Sequence, residues 1–219
     1  GIRYYLAITF LFFALIGEYI LKKSNIYIYI CYLLSLLIHL SSTMFLGIRI
    51  LAIKKIYKII RPFKYFVIFW TVFSNIIVII LNKIDLPITK SISKQLLVYI
   101  NEERNISLRL IMARLVMVIL LLSMFYLFRK KDKIQFCMNS NFYNYYELVL
   151  FFTLGSVLHD VFFQRSVFFT VLMSMPLFFE FFNSKLVSEK IKSFYRIIIV
   201  ILSMGMYANQ LYGIIVGYM

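Results

Sequence analysis

Residues Leu108 to Phe128 read LRLIMARLVMVILLLSMFYLF, an apolar run of bilayer length interrupted only by Arg109 and Arg114. A hydrocarbon core of about 30 Å needs roughly 20 such residues in a helix, so this stretch alone predicts a membrane crossing. Its arginines set the functional question. A guanidinium in hydrocarbon is expensive and persists where it faces a cavity, a partner or a polar substrate.

Similar runs lie on both sides, at Ile2 to Leu21, Ile26 to Ile53, Phe66 to Leu81, Phe142 to Leu158, Val167 to Phe182 and Ile197 to Tyr218. The chain of 219 residues is 63% hydrophobic and 19% aromatic, with a mean hydropathy of +0.88. That leaves far too little polar surface to coat a soluble globule. The expected fold is all-α, a polytopic integral membrane bundle of about seven transmembrane segments. Residues 1–219 are expected to form one transmembrane helical domain. The chain starts at Gly1 and enters an apolar run at once, with neither a charged leader nor a small-residue cleavage site. It therefore reads as the carboxy-terminal part of a longer polytopic protein. Cys31 lies in an apolar run and Cys137 in a basic loop, which is no disulfide framework.

The net charge of +15 would suggest nucleic acid in a soluble protein. Here the cations gather between apolar runs, as membrane orientation requires. Three loops are strongly basic: Lys54 to Lys64, Arg129 to Lys133 and Lys185 to Arg196. The positive-inside rule makes all three cytoplasmic. The mixed-charge loop Asn82 to Ser107 and the nearly neutral turn around His159, Asp160 and Arg165 belong outside.

One stretch resists simple counting. Lys22 and Lys23 precede Ile26 to Ile53 while Lys54 and Lys55 follow it, so both flanks read as cytoplasmic. As one helix it would span about 42 Å, too long for an upright crossing and short for two. A re-entrant hairpin over residues 26–53, with its tip near His39, resolves both facts. Irregular backbone at that depth is tolerated only where protein or a water-filled cavity surrounds it. This arrangement places Arg3, His39 and Arg165 on the outer side. A single tilted helix, the alternative, would put Arg3 on the cytoplasmic side.

Several chemistries are excluded. No GxxxxGK[ST] or GxGxxG loop is present to cradle a nucleotide. The acids include no DxD pair and no ExxH or HExxH spacing, so no metal site and no cofactor is expected. His39 stands out, followed after Leu40 by Ser41, Ser42 and Thr43. An imidazole titrates near neutrality and can take a proton from a hydroxyl, although a neutral histidine bonded between helices explains the same position. Arg3 and Arg165 each lie near the outer end of a helix. Their planar guanidinium forks match phosphate oxygens, and snorkelling to lipid headgroups is the alternative. Arg104, Arg109 and Arg114 step inward along one helix, but a spacing of five turns each by roughly 140° from the last, so they cannot share a face. Tyr99, Tyr143, Tyr145 and Tyr146 are candidates either for stacking on sugar rings or for an interfacial aromatic belt.

The order of these features matters. Gly1-Ile2-Arg3 with Ala7 a turn later, a lysine pair after the first helix, Ser35-Leu36-Leu37-Ile38-His39-Leu40-Ser41-Ser42, and a late Arg165 followed by Pro176 together resemble the EpsG-like branch of the Wzy-type polysaccharide polymerases. Ile38 replaces that family's usual Phe, and Thr43 its usual Ala. The resemblance implies a membrane glycosyltransferase of the bacterial cytoplasmic membrane, working at its outer face without a metal. Its reaction would pass an oligosaccharide from a polyprenyl pyrophosphate carrier to the terminal hydroxyl of another lipid-linked repeat unit, for exopolysaccharide, capsule or O-antigen. Arg3 and Arg165, supported by Arg114 or Arg109, would hold the pyrophosphate, and His39 would activate the acceptor. The implied partners are the lipid-linked oligosaccharide, membrane lipids, and chain-length regulator and flippase proteins. A lipid-linked sugar flippase or exporter and an O-antigen ligase would want the same residue types. No internal repeat and no paired pattern among Gly17, Gly47, Gly155 and Pro176 favours the flippase. An acyltransferase would draw on His159-Asp160, the only adjacent pair of its kind, which also reads as a polar turn.

Overall fold

In the computed structural model of the protein the described residues are 2–23, 25–39, 42–69, 108–131, 140–185 and 187–201, with isolated helical positions at 80, 83, 90, 94 and 204. The regular elements among them are all helical. They are α1 (Ile2–Tyr19), α2 (Ile26–Ile38), α3 (Ser42–Leu51), α4 (Lys54–Ile60), a 3₁₀ segment (Arg61–Phe69), α5 (Leu108–Lys131), α6 (Ser140–Gly155), α7 (Asp160–Asn183) and α8 (residues 189–201). Lys83, Lys90 and Lys94, expected in a loop, occupy helical positions. The rest of Phe66 to Leu81 beyond the 3₁₀ segment, and most of Ile197 to Tyr218, lie outside the described residues.

Helix α1 buries Tyr4, Ala7, Ile8, Leu11, Ala14 and Leu15, the three-and-four spacing of a single helical face. It ends where Lys22 adopts a left-handed φ of 52° and the Lys23 amide turns back to the Gly17 carbonyl at 3.0 Å. Asn25 then caps α2, its side chain accepting from the Ile28 amide. The two helices run antiparallel and pack closely. A Cβ on Gly17 would stand 3.0 Å from Ile28 Cδ1, so the small residue lets the chains approach.

The long apolar run 26–53 is broken at its centre. His39 takes an extended conformation, φ −153° and ψ 117°, and the Ser42 hydroxyl donates to the carbonyls of Ser35 (2.8 Å) and His39 (2.5 Å). It thereby reinforces two carbonyls that already accept backbone amides, Ser35 from His39 at 3.2 Å and His39 from Ser42 at 3.1 Å. On one continuous helix Tyr32 and Arg49 would stand about 25 Å apart. Instead Arg49 Nε lies 3.2 Å from the Tyr32 hydroxyl, so the chain doubles back and α3 returns beside α2. Arg49 also forms a two-point ion pair with Glu18 at 2.7 and 2.8 Å, and Tyr32 donates to Glu18 at 2.5 Å.

Among the described residues two helices, Ile2–Tyr19 and Phe162–Asn183, are long and apolar enough to cross a membrane. Ile26–Ile38, Ser42–Leu51 and Ile111–Leu127 are shorter apolar helices. The expected count of about seven crossings is therefore not met by these residues. The His39 break divides one run, whereas α5 continues as one helix of 24 residues with Arg114 inside it.

The bundle has two chemically distinct ends. At one, Tyr4 of α1, His39 and Arg165 of α7 lie together. At the other, all three basic loops meet. Lys64 Nζ (2.7 Å) and Arg129 Nη1 (2.9 Å) share the fully buried carboxylate of Glu147 on α6, which also accepts from the Tyr126 hydroxyl at 2.5 Å and from Tyr57. The third loop joins through Tyr195, whose hydroxyl lies 2.9 Å from Ser123 Oγ. Lys192 pairs with Glu189 at 2.6 Å, and that hydrogen bond holds the Glu189 carboxyl below its ordinary range. Between the ends runs an aromatic core in which Phe45 packs 4.2 Å from Phe169 and the Thr153 and Thr170 hydroxyls meet at 2.7 Å.

Removing one partner from a buried ion pair strands the other charge and costs about 3–5 kcal/mol. Glu147→Ala is thus expected to lower thermal stability in detergent by about 3 kcal/mol or more, with Glu147→Gln losing less because its amide still accepts hydrogen bonds. Equal melting of Glu147→Ala and the parent protein would show that the clamp contributes nothing.

Candidate functional site

Tyr4 is the meeting point at the end away from the basic loops. It is buried on the inner face of α1, and its hydroxyl donates to the backbone carbonyl of Arg165 at 2.6 Å. The Arg165 guanidinium carbon lies 5.1 Å from its ring centroid, within cation–π range. The His39 imidazole meets the same ring edge to face at 5.5 Å. One phenol therefore joins α1, the break between α2 and α3, and the second turn of α7. Beside it Tyr5 packs edge to face on Phe168 at 4.9 Å.

Local sequence explains each placement. His39 is at the rim because helix α2 stops there and the Ser42 hydroxyl holds the stop. Arg165 is at the rim because α7 begins at Asp160, immediately after His159 in extended conformation. His39 and Arg165 are both half-buried, and Arg3 on the first turn of α1 is exposed. These cations and the imidazole thus lie on an accessible rim and not in sealed core. A guanidinium held against a ring face uses none of its N–H donors for that contact.

Arg114 is placed differently. It is buried at 6% exposure, donates to the Val157 carbonyl at 3.1 Å and lies 4.8 Å from the Phe163 ring centroid. Phe163 and Arg165 point about 200° apart around α7, so Arg114 and Arg165 occupy opposite flanks of that helix at the same end of the bundle. Arg114 binds a carbonyl just beyond the carboxy terminus of α6, where a cation is favoured. Arg109 is on the first turn of α5, and its side chain lies outside the described residues.

His159 is in the tight turn between α6 and α7, with its amide on the Ser156 carbonyl at 2.8 Å. The pair His159-Asp160 thus marks a helix start. The tyrosines depart from expectation: Tyr145 and Tyr146 are buried, packed against Tyr19, Phe125 and Phe142, and form neither a belt nor a stacking platform. They face α1 and α5, a direction that spacing within α6 alone does not reveal. Tyr143 is half-buried, and Tyr99 lies outside the described residues. Among the described residues no three His, Cys, Asp or Glu side chains gather as a metal site would require. Sequence reasoning missed Tyr4; its only signal was adjacency to Arg3 in Gly1-Ile2-Arg3-Tyr4.

These features define a helical membrane protein that carries an imidazole and guanidinium rim at the end opposite its basic loops. The chain belongs to the EpsG family, whose family model matches residues 1–217, and it is a membrane protein of polysaccharide biosynthesis. No curated protein and no solved structure matches it.

If Arg114 holds the α6–α7 turn, Arg114→Leu leaves the Val157 carbonyl buried without its donor. Such a loss costs about 1–3 kcal/mol and should appear as a lower melting midpoint in detergent. A midpoint equal to that of the parent would remove the structural role.

Proposed function

We propose that this protein is a glycosyltransferase that polymerises oligosaccharide repeat units carried on polyprenyl pyrophosphate, at the outer face of a bacterial cytoplasmic membrane. One observation carries the reading: Tyr4 joins His39 and Arg165 at the end of the bundle remote from all three basic loops. With those loops in the cytoplasm, the rim opens outward. In that reading the chain passes the membrane about seven times, and α2–α3 is a re-entrant hairpin whose tip carries the base.

The chemistry is a displacement at the anomeric carbon of the donor. The His39 imidazole takes the proton of the acceptor hydroxyl, the acceptor oxygen forms the new glycosidic bond, and the bond from the anomeric carbon to the carrier phosphate breaks. Polyprenyl pyrophosphate leaves with the bonding electrons. Arg165 and Arg3 stabilise the negative charge that grows on it, a task preorganised cations perform well in a poorly solvated site. Arg109, on the first turn of α5, is a further candidate cation for the pyrophosphate. Arg114 acts indirectly by holding the turn that leads into α7. The lipid-linked repeat unit serves as both donor and acceptor, and chain-length regulator and flippase proteins are the partners that would set product length and supply substrate.

Tyr4 is a positioning residue in this mechanism, fixing imidazole and guanidinium relative to each other. Complementation of cells lacking the full-length protein tests the assignment. His39→Ala is expected to cut polymer formation by about 100-fold or more while single repeat units accumulate on the carrier and the protein still inserts. Normal polymer from that variant would remove the base assignment, and finished polymer accumulating on the carrier would point to a ligase. Tyr4→Phe should retain most activity because the ring contacts survive. Tyr4→Leu should lose turnover at unchanged protein level, and equal activity of the two would exclude a positioning role for the ring.

A further inference from the structure

Helix α4 and the 3₁₀ segment after it carry a pattern that the proposed chemistry does not use. Tyr57 is buried and donates to Glu147, so this side of α4 is bolted to the bundle. Taking the Tyr57 direction as zero, helical geometry places Lys54, Lys58 and Lys55 at about 60°, 100° and 160° on one flank. Ile53, Ile60, Ile56 and Ile59 fall at about 40°, 60°, 100° and 160° on the other. The short helix therefore has three sectors: bundle, cationic and aliphatic. The three lysines are exposed, as is Arg61 just beyond. Ile59 is 73% and Phe63 60% exposed.

A helix in water would gain nothing from an exposed isoleucine flank, and a helix within hydrocarbon would not tolerate three lysines. Both flanks are satisfied together only at a boundary, with the helix axis in the plane of the interface. The charge is one-sided as well. No acidic residue occurs between Glu18 and Asp85, and Lys64 alone in this segment turns inward to Glu147. The exposed cations must therefore find counter-charge outside their own segment.

We propose that residues 54–63 form an interfacial collar, with Lys54, Lys55, Lys58 and Arg61 bound to anionic phospholipid headgroups and Ile59 and Phe63 inserted among the acyl chains. Glu147 fixes the height of this collar through Tyr57 and Lys64, and so sets how deep the whole bundle sits. The inference is independent of the polymerase reading, since it uses only the opposite end of the molecule.

The test uses the full chain, with Cys31→Ser and Cys137→Ser, in vesicles of phosphatidylcholine with and without phosphatidylglycerol. Nitroxides are attached at Lys58→Cys or Ile59→Cys. The label at position 59 is expected to collide preferentially with oxygen, and the label at position 58 with a water-soluble nickel chelate. Spin-labelled phosphatidylglycerol should be enriched over phosphatidylcholine in the lipid shell, and the joint replacement Lys54→Gln, Lys55→Gln, Lys58→Gln and Arg61→Gln should abolish that enrichment. Equal chelate access at both positions would place the segment in water and overturn the proposal. Shielding of both labels from both reagents would do the same, by showing protein and not lipid over the segment. Undiminished enrichment in the neutralised protein would remove the headgroup assignment.

Discussion

The backbone leaves the helix at His39, and most of what distinguishes this bundle follows from that break. A continuous helix over residues 26–53 would carry Arg49 far from Tyr32 and Glu18. Because the chain doubles back, Arg49 returns to both, and the imidazole is left at the tip, against the start of α1. Among the described residues the fold-back is held at its tip by the Ser42 hydroxyl and amide, and at its base by a two-point arginine–carboxylate pair, the strong geometry for such contacts. No proline or glycine is needed. The break exists because three elements agree on it.

In lipid the hydrophobic effect does not drive helices together, so packing and interhelical polar contacts must do so. The polar contacts here are asymmetric in kind. At the basic end they are ion pairs: Glu18 with Arg49, and Glu147 with Lys64 and Arg129. At the other end the contacts include cations on neutral groups: Arg165 on the Tyr4 ring, and Arg114 on a carbonyl and the Phe163 ring. A ring face holds a guanidinium through its plane and a carboxylate holds it through its edge. Among the described residues the two ends therefore grip their arginines by different geometries.

Much of this was legible in the sequence, and the limits have physical causes. The all-helical class followed from the apolar runs. The hairpin followed from matching lysine pairs around a run of awkward length, and the gathering of the basic loops at one end from their charge. The partners were not legible. Glu147 meets Tyr57 across 90 positions of chain and Lys64 across 83, and nothing local to any of the three announces it. Tyr4 was hidden for a related reason, because its role depends on an α7 carbonyl brought to it from 161 positions away. Arg114 shows the same limit: spacing gave its depth along the helix, but its contacts with the Val157 carbonyl and the Phe163 ring depend on which neighbour packs there. Tyr145 and Tyr146 looked like interface residues because composition does not separate a tyrosine at a headgroup from one sealed between helices.

The two ends are also mechanically joined. Helix α1 carries Tyr4 at its first turn and Glu18 at its last, and α7 carries Arg165 near its start and Phe181, packed on Tyr195, near its finish. Each is long and apolar enough to cross a bilayer. Helix α1 joins the two ends directly, whereas α7 carries Pro176 between Arg165 and Phe181, where a helix loses an amide donor and kinks. The position of His39 relative to Arg165 is fixed locally by the Tyr4 ring, whereas the far end is fixed separately, through Glu18 and Glu147. The reaction proposed above would need a base held beside a cation, and in this chain that spacing and the anchoring of the far end rest on different residues.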